Sequence, residues 1–208
     1  MTATDTLVPP ASLADAIARR RSVRKLVDGP LPGDALARLA AAVEHAPASM
    51  GIPPWEVVFL RERRAAFWDL VECAFRERLE GDQLERYLGR LAGFREAALV
   101  ALVFEDAQAN ERLLATGYLT EPVARDFAVQ ALGIVQMALW LTAADLGLAA
   151  SLQHWDAQIA EPLEGFVGLP RSRYRLVAVM PIGHAAEQPG AKDPEPWRRW
   201  SVDPVPVS

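Results

Sequence analysis

Eighteen consecutive residues, Phe127 to Ala144, carry no charge, and no other segment narrows so far what this chain can become. Such a run sits at the lower limit for a helix that spans a bilayer. It also holds Gln130, Gln136 and Thr142, is rich in alanine and stops at Asp145. Those features suit a helix buried in a protein core or a subunit interface. Enclosing it takes apolar material elsewhere, and 51% of the 208 residues are apolar against 24% charged, the balance of a soluble globular domain. Lys and Arg total 22 against 27 Asp and Glu, so the net charge of −5 gives no field to gather nucleic acid or an anionic membrane. A single cysteine, Cys73, permits no disulfide within the chain, and residues 1–10 lack a basic segment followed by an apolar run. Both observations point to the cytoplasm.

Around the uncharged run, helical and strand-like segments alternate. Ser12 ahead of Leu13, with Asp15 three positions on, reads as a capped helix start. A second helix is predicted from Asp34 to His45, with Leu36, Leu39, Ala40 and Val43 on one face. A loop follows from Ala48 to Pro54, then a short strand at Glu56–Leu60. Arg64 to Gly93 reads as helix with a break near Gly81. Ala97–Phe104 is apolar without alternation, the pattern of a strand covered on both faces. The longest helix is predicted over Val123–Leu146, a strand over Leu148–Leu152, a helix over Ala157–Phe166 and a last core strand over Tyr174–Ile182 that turns at Gly183. One domain with three layers, α+β or α/β, is the expectation. No repeat or internal linker interrupts it.

Two segments could carry chemistry. Arg19 to Lys25 concentrates five cations and the Ser22 hydroxyl at a helix end. Arg presents a planar fork of donors that suits phosphate oxygens, while cations at a helix carboxyl end are equally favoured by its dipole. Gly147 to Asp156 places Gln153, His154, Trp155 and Asp156 just beyond a predicted buried strand, where polar groups often face a ligand. A histidine there can also be a satisfied structural group. His45, His154 and His184 lie too far apart in sequence for a zinc pattern. Dinucleotide, phosphate-loop and nucleophile-elbow motifs are missing. An enzyme of this kind would leave the chemistry to a bound cofactor.

In order, these segments resemble the FMN-dependent nitroreductase family. Arg20-Arg-Ser-Val-Arg-Lys-Leu26 is similar to its Arg-Arg-Ser-x-Arg signature, and Ala46-Pro-Ala-Ser-Met-Gly-Ile-Pro-Pro-Trp55 to its Ala-Pro-Ser-x-x-Asn-x-Gln-Pro-Trp loop. Asp145-Leu-Gly-Leu148 closes the long helix, and Met180-Pro-Ile-Gly183 with Lys192 matches the final strand and basic tail. Phe67-Trp-Asp69, Phe94, Val103-Phe-Glu-Asp106 and Leu152-Gln-His-Trp-Asp156 resemble most the nitroreductases related to the fatty-acid repression mutant protein. The resemblance spans about residues 12–195 of a single domain covering 1–208, with an extended C-terminal tail.

The resemblance implies an α+β fold: a three-layer α/β/α sandwich with a mostly antiparallel central sheet. It implies a homodimer holding two FMN molecules at the interface, with the long helix lying across it. Arg20, Arg21, Ser22 and Arg24 fall on the positions that hold the phosphate, ribityl chain and ring edge, and Lys192 adds a cation for the phosphate. Gln153 and His154 fall beside the isoalloxazine ring, where backbone amides can hydrogen-bond near N5. His154 or Trp155 would shape the acceptor pocket. Gly51 and Pro53 replace the usual Asn and Gln, so one contact to the pyrimidine edge must come from elsewhere. The implied activity is ping-pong reduction of a nitroaromatic, quinone or similar planar acceptor with NADH or NADPH. Two other readings use the same fold: a flavin- or ligand-binding regulatory protein without turnover, and a specialised flavin oxidase or dehydrogenase.

Overall fold

The computed structural model describes residues 12–187, 189, 190 and 193. Ser12 accepts a hydrogen bond from the Asp15 N–H at 3.1 Å and opens helix α1, Leu13–Arg19. A two-residue strand β1 (Leu26–Val27), helix α2 (Ala35–Glu44) and a 3₁₀ turn at Ser49–Gly51 follow. Then come β2 (Trp55–Leu60), α3 (Arg64–Arg78), α4 (Gly81–Ala92), β3 (Leu99–Asp106) and α5 (Ala107–Ala115). The chain continues through α6 (Glu121–Asp145), β4 (Ala149–Ala150), α7 (Asp156–Val167) and β5 (Tyr174–Ala185).

The strands form one antiparallel sheet in the order β1-β5-β3-β2, with β4 also pairing β5. Alternate residues of β3 feed two cores. Leu99, Ala101 and Val103 pack with Leu39 of α2 and Leu132, Val135 and Leu139 of α6. Val100, Leu102 and Phe104 pack with Phe67, Trp68 and Phe75 of α3, Leu91 of α4 and Ile159 and Leu163 of α7. The result is the three-layer sandwich expected, with β3 buried on both faces. One irregularity adjusts the second core: the register slips between Val103 and Phe104, which face Ala178 and Leu176 respectively. Val177 is thus an extra residue in β5, and Leu176 and Val179 come to share a face.

Helix α6 spans the uncharged run. Its length and composition would also suit a bilayer span, but Ala124, Ala128, Leu132, Val135, Leu139 and Ala143 are buried within the domain. Its other face leaves Val129, Ile134 and Met137 exposed.

Three expectations need correction. Leu36 is not on the buried face of α2, which Ala35 and Leu39 supply; it is 36% exposed. The predicted strand 148–152 is hydrogen-bonded as a strand only at Ala149–Ala150, with isolated bridges from Ala150 to Ser22 and from Gln153 to Val179. Gly183 is no turn: β5 runs on to Ala185. A side chain at Gly183 would stand 3.1 Å from the Ala98 amide, so close backbone approach explains the glycine. The pairing of Leu26–Val27 with Ala185–His184 has no counterpart in the sequence pattern, because two residues are too few for any period to show.

Candidate functional site

After α1 the chain runs extended along the end of the sheet, anchored by two buried side chains three positions apart. Val23 and Leu26 are buried, whereas Ser22, Arg24 and Lys25 are exposed. The backbone is pinned at four places. Ser22 pairs with Ala150, the Val23 N–H donates to the Ala150 carbonyl at 3.1 Å, the Leu26 N–H to the Gly93 carbonyl at 2.9 Å and the Ala186 N–H to the Lys25 carbonyl at 3.0 Å. Gly93 allows the close pass: a side chain there would meet the Arg24 carbonyl oxygen at 2.2 Å.

Four cations therefore project from a fixed track. Arg20 is half-buried, and its guanidinium lies over the ring of Trp140 on α6, 4.1 Å from the centroid. Its Nη1 is buried without an acceptor. Burial, and then the neighbouring charge of Arg21, pull the Arg20 pKa below its ordinary value, although a guanidinium stays charged at neutral pH. Arg21 donates to the Gly190 carbonyl. Lys25 approaches Glu187 at 3.9 Å, with both groups exposed. Among the described residues neither Arg20 nor Arg24 has a carboxylate in ion-pair range.

The 149–154 segment runs beside this track, and its members differ in role. Gln153 is 6% exposed and committed: its N–H and carbonyl both pair with Val179 at 2.9 Å, and its amide donates to Ser151 Oγ at 3.1 Å. Its backbone amide is therefore not open to a ring nitrogen, against expectation. His154 is exposed, and its N–H has no backbone partner among the described residues. Trp155 also departs from expectation. It is 3% exposed and packs edge-on against Phe75 at 5.2 Å and near Phe94 at 5.8 Å, inside the α3–α7 core. Its large apolar ring adds to the aromatic core that lies within reach. It shapes no pocket.

Gly51 lies elsewhere. It follows Met50, and both have positive φ, 53° for Met50 and 68° for Gly51. The turn leads into β2, the strand at the opposite edge of the sheet from β1. There it lines an open groove of about 460 Å³ with Val43, Glu44, Pro53, Trp55 and Glu56 among its walls. A single subunit does not bring Gly51 to the Arg20–Arg24 track. Lys192 lies outside the described residues. Sequence reasoning missed Trp140 and Gly93. The tryptophan alone had a visible signal, being an indole in a run otherwise of smaller apolar side chains.

No curated protein matches the sequence. Among solved structures, the nitroreductase CinD from Lactococcus lactis in complex with chloramphenicol is 21% identical, with a TM-score of 0.77 over 92% of this chain and 100% of that one. A nitroreductase with bound FMN from Desulfitobacterium hafniense is 20% identical, with a TM-score of 0.69 over 92% of this chain and 98% of that one. A BluB-like flavoprotein from Clostridium difficile is 20% identical, with a TM-score of 0.65 over 92% and 99%. At these identities the likeness speaks for the fold. The profile of the nitroreductase family, in contrast, matches residues 17–184, from within α1 to the last residue but one of β5. With four fifths of its length so matched, the chain belongs to the nitroreductase family.

Proposed function

We propose that this protein is an FMN-dependent oxidoreductase that works as a homodimer and uses NADH or NADPH to reduce nitroaromatic, quinone or similar planar acceptors. The observation that carries the reading is the Arg20 guanidinium, half-buried, with an orphaned N–H and, among the described residues, no carboxylate to balance it. Leaving a buried donor unsatisfied costs about 1–3 kcal/mol, more for a charged group. A phosphate removes that penalty, because Arg forms charge-assisted hydrogen bonds to its oxygens. The residues present therefore fit the phosphate end of FMN.

When bound, FMN supplies two-electron transfer between a nicotinamide and an acceptor. The chain supplies the setting. Arg20 and Arg21, with Lys192, hold the phosphate; the Ser22 hydroxyl meets the ribityl chain. Arg24, exposed on a backbone that the missing side chain of Gly93 lets pass close, would bring a cation to where negative charge gathers at the ring edge. The His154 N–H remains as a donor beside the ring once Gln153 is committed to β5. Pairing of two copies through the exposed Val129, Ile134 and Met137 face of α6 would dry that surface and bring one copy's Gly51 turn to the other's Arg20 track.

Gly51 and Pro53 favour a second reading, a flavin-binding protein without turnover, because neither offers the side-chain amide usual in the family at that loop. One such hydrogen bond is worth about 0.5–1.5 kcal/mol, up to about tenfold in affinity. A visible spectrum of the desalted protein, before and after adding FMN, tests both. Flavin bands that persist and bleach with NADH under anaerobic conditions are expected. Bands that persist and never bleach favour the second reading, and no uptake of FMN ends the flavin reading altogether.

A further inference from the structure

Trp140 has no part in the reading above. It stands on α6, half-buried against the core shared by α2, α6 and the sheet, with Arg20 over its ring. Its neighbours separate it from ordinary core packing, since an orphaned indole N–H is also found at Trp68 in the other core. The Trp140 Nε1 is buried with no acceptor, as is Nη1 of the guanidinium above it. And the ring is the partner found for a cation that lacks any carboxylate in range among the described residues. An aromatic face attracts a guanidinium through its quadrupole without neutralising it or occupying its in-plane donors. A carboxylate at the same place would fill those donors and compete with an incoming anion. An indole thus fixes the position of Arg20 and leaves its Nη1 unpaired, which reduces the ordering that binding would otherwise require.

We propose that Trp140 is a positioning residue for a phosphate monoester: its face holds the Arg20 guanidinium, and its indole N–H is a second donor reserved for the same anion. The inference rests on the flavin reading for the identity of that ligand, and it makes Trp140 a determinant of FMN over riboflavin, which lacks the phosphate.

The test is the ratio of riboflavin to FMN dissociation constants, measured by flavin fluorescence on the apoprotein. Trp140→Met keeps the bulk without the face or the N–H; Trp140→Phe keeps a face and loses the N–H. The wild-type protein is expected to prefer FMN by about a hundredfold, from charge-assisted hydrogen bonds to the phosphate. Trp140→Met should lower that ratio about tenfold with riboflavin binding changed by less than about threefold, and Trp140→Phe should lower it about threefold. A merely structural role would weaken both flavins together, and that result overturns the proposal. So does an unchanged ratio in Trp140→Phe, which decides the matter should Trp140→Met not fold. If the wild type takes up neither flavin, the flavin reading fails by itself. The proposal then stands or falls on inorganic phosphate: stabilisation of the wild type against heat, relative to chloride at equal ionic strength, must occur and must shrink in Trp140→Phe.

Discussion

Two arginine-rich corners of this molecule look alike in sequence and differ in what they do with their charge. Where β3 passes into α5, Asp106 is 6% exposed and receives two hydrogen bonds from Arg173, both 2.9 Å, with Arg112 at 3.6 Å and the Gln108 N–H at 3.1 Å. Beside it Arg175 pairs with Glu105 at 2.5 Å. There the cations meet carboxylates, and the corner joins β3, β5 and α5. At the Arg20–Arg24 track the cations meet a ring, a backbone carbonyl and solvent. A charge balanced within the fold contributes to the fold, whereas the buried, unpaired Nη1 of Arg20 is a donor that the proposed phosphate would satisfy. The difference lies in the partners and not in the arginines.

Exchanging the two treatments of charge breaks the comparison most sharply at the track. Arg20→Ala combined with Arg21→Ala removes donors worth about 1.5–3 kcal/mol each to a phosphate. FMN content after gel filtration should fall at least about a hundredfold in affinity terms, with thermal stability unchanged or raised. Undiminished flavin would sever the track from the cofactor. Asp106→Ala is the mirror experiment, expected to lower stability by about 1–2 kcal/mol in urea unfolding, since the arginines it leaves behind can reach solvent, and to leave flavin affinity alone. Acid acts on the same corner. Arg173 first, and then the Gln108 N–H, hold the Asp106 pKa below its ordinary value. Its contribution is therefore complete above about pH 4 and disappears as pH falls through the lowered folded pKa. Asp106→Asn should flatten that acid limb.

Gly93→Ala should move both readouts. A methyl group 2.2 Å from the Arg24 carbonyl forces the track aside, at about 2 kcal/mol of stability with weaker flavin binding besides. Loss of stability without loss of affinity would show that Arg24 does not need its present place. The smallest effect belongs to Gly51→Asn. Asn tolerates the positive φ, and the amide restored to the loop should tighten FMN by up to about tenfold. No tightening would mean that the groove already satisfies the pyrimidine edge in another way.

Much of the fold was legible because burial leaves a periodic trace. The unbroken apolar run ending at Phe104 announced a strand covered on both faces, and the uncharged run announced α6. The register slip at Val177 was not legible, since an extra residue in an apolar strand changes no residue type. The site was legible in composition and not in environment. Arg19–Lys25 read as phosphate site and solvated helix end alike; burial of Val23 and Leu26 between exposed Ser22, Arg24 and Lys25 settles only how the track lies. Trp155 was misread because polar neighbours in sequence suggest a polar setting, and the core that takes its ring is assembled from α3 and the segment after α4. Gln153 was misread for the opposite reason: a buried amide can be satisfied wholly by Ser151 and a neighbouring strand.

The order of the strands has a last consequence. Gly51 leads into one edge of the sheet and the Arg20 track lies at the other, so a flavin that touches both must touch two copies of the chain. On the reading proposed here, uptake of cofactor and association of subunits are then one linked equilibrium. Dilution should release flavin, flavin should hold pairs together at concentrations where the apoprotein separates, and any apparent affinity carries the protein concentration at which it was measured.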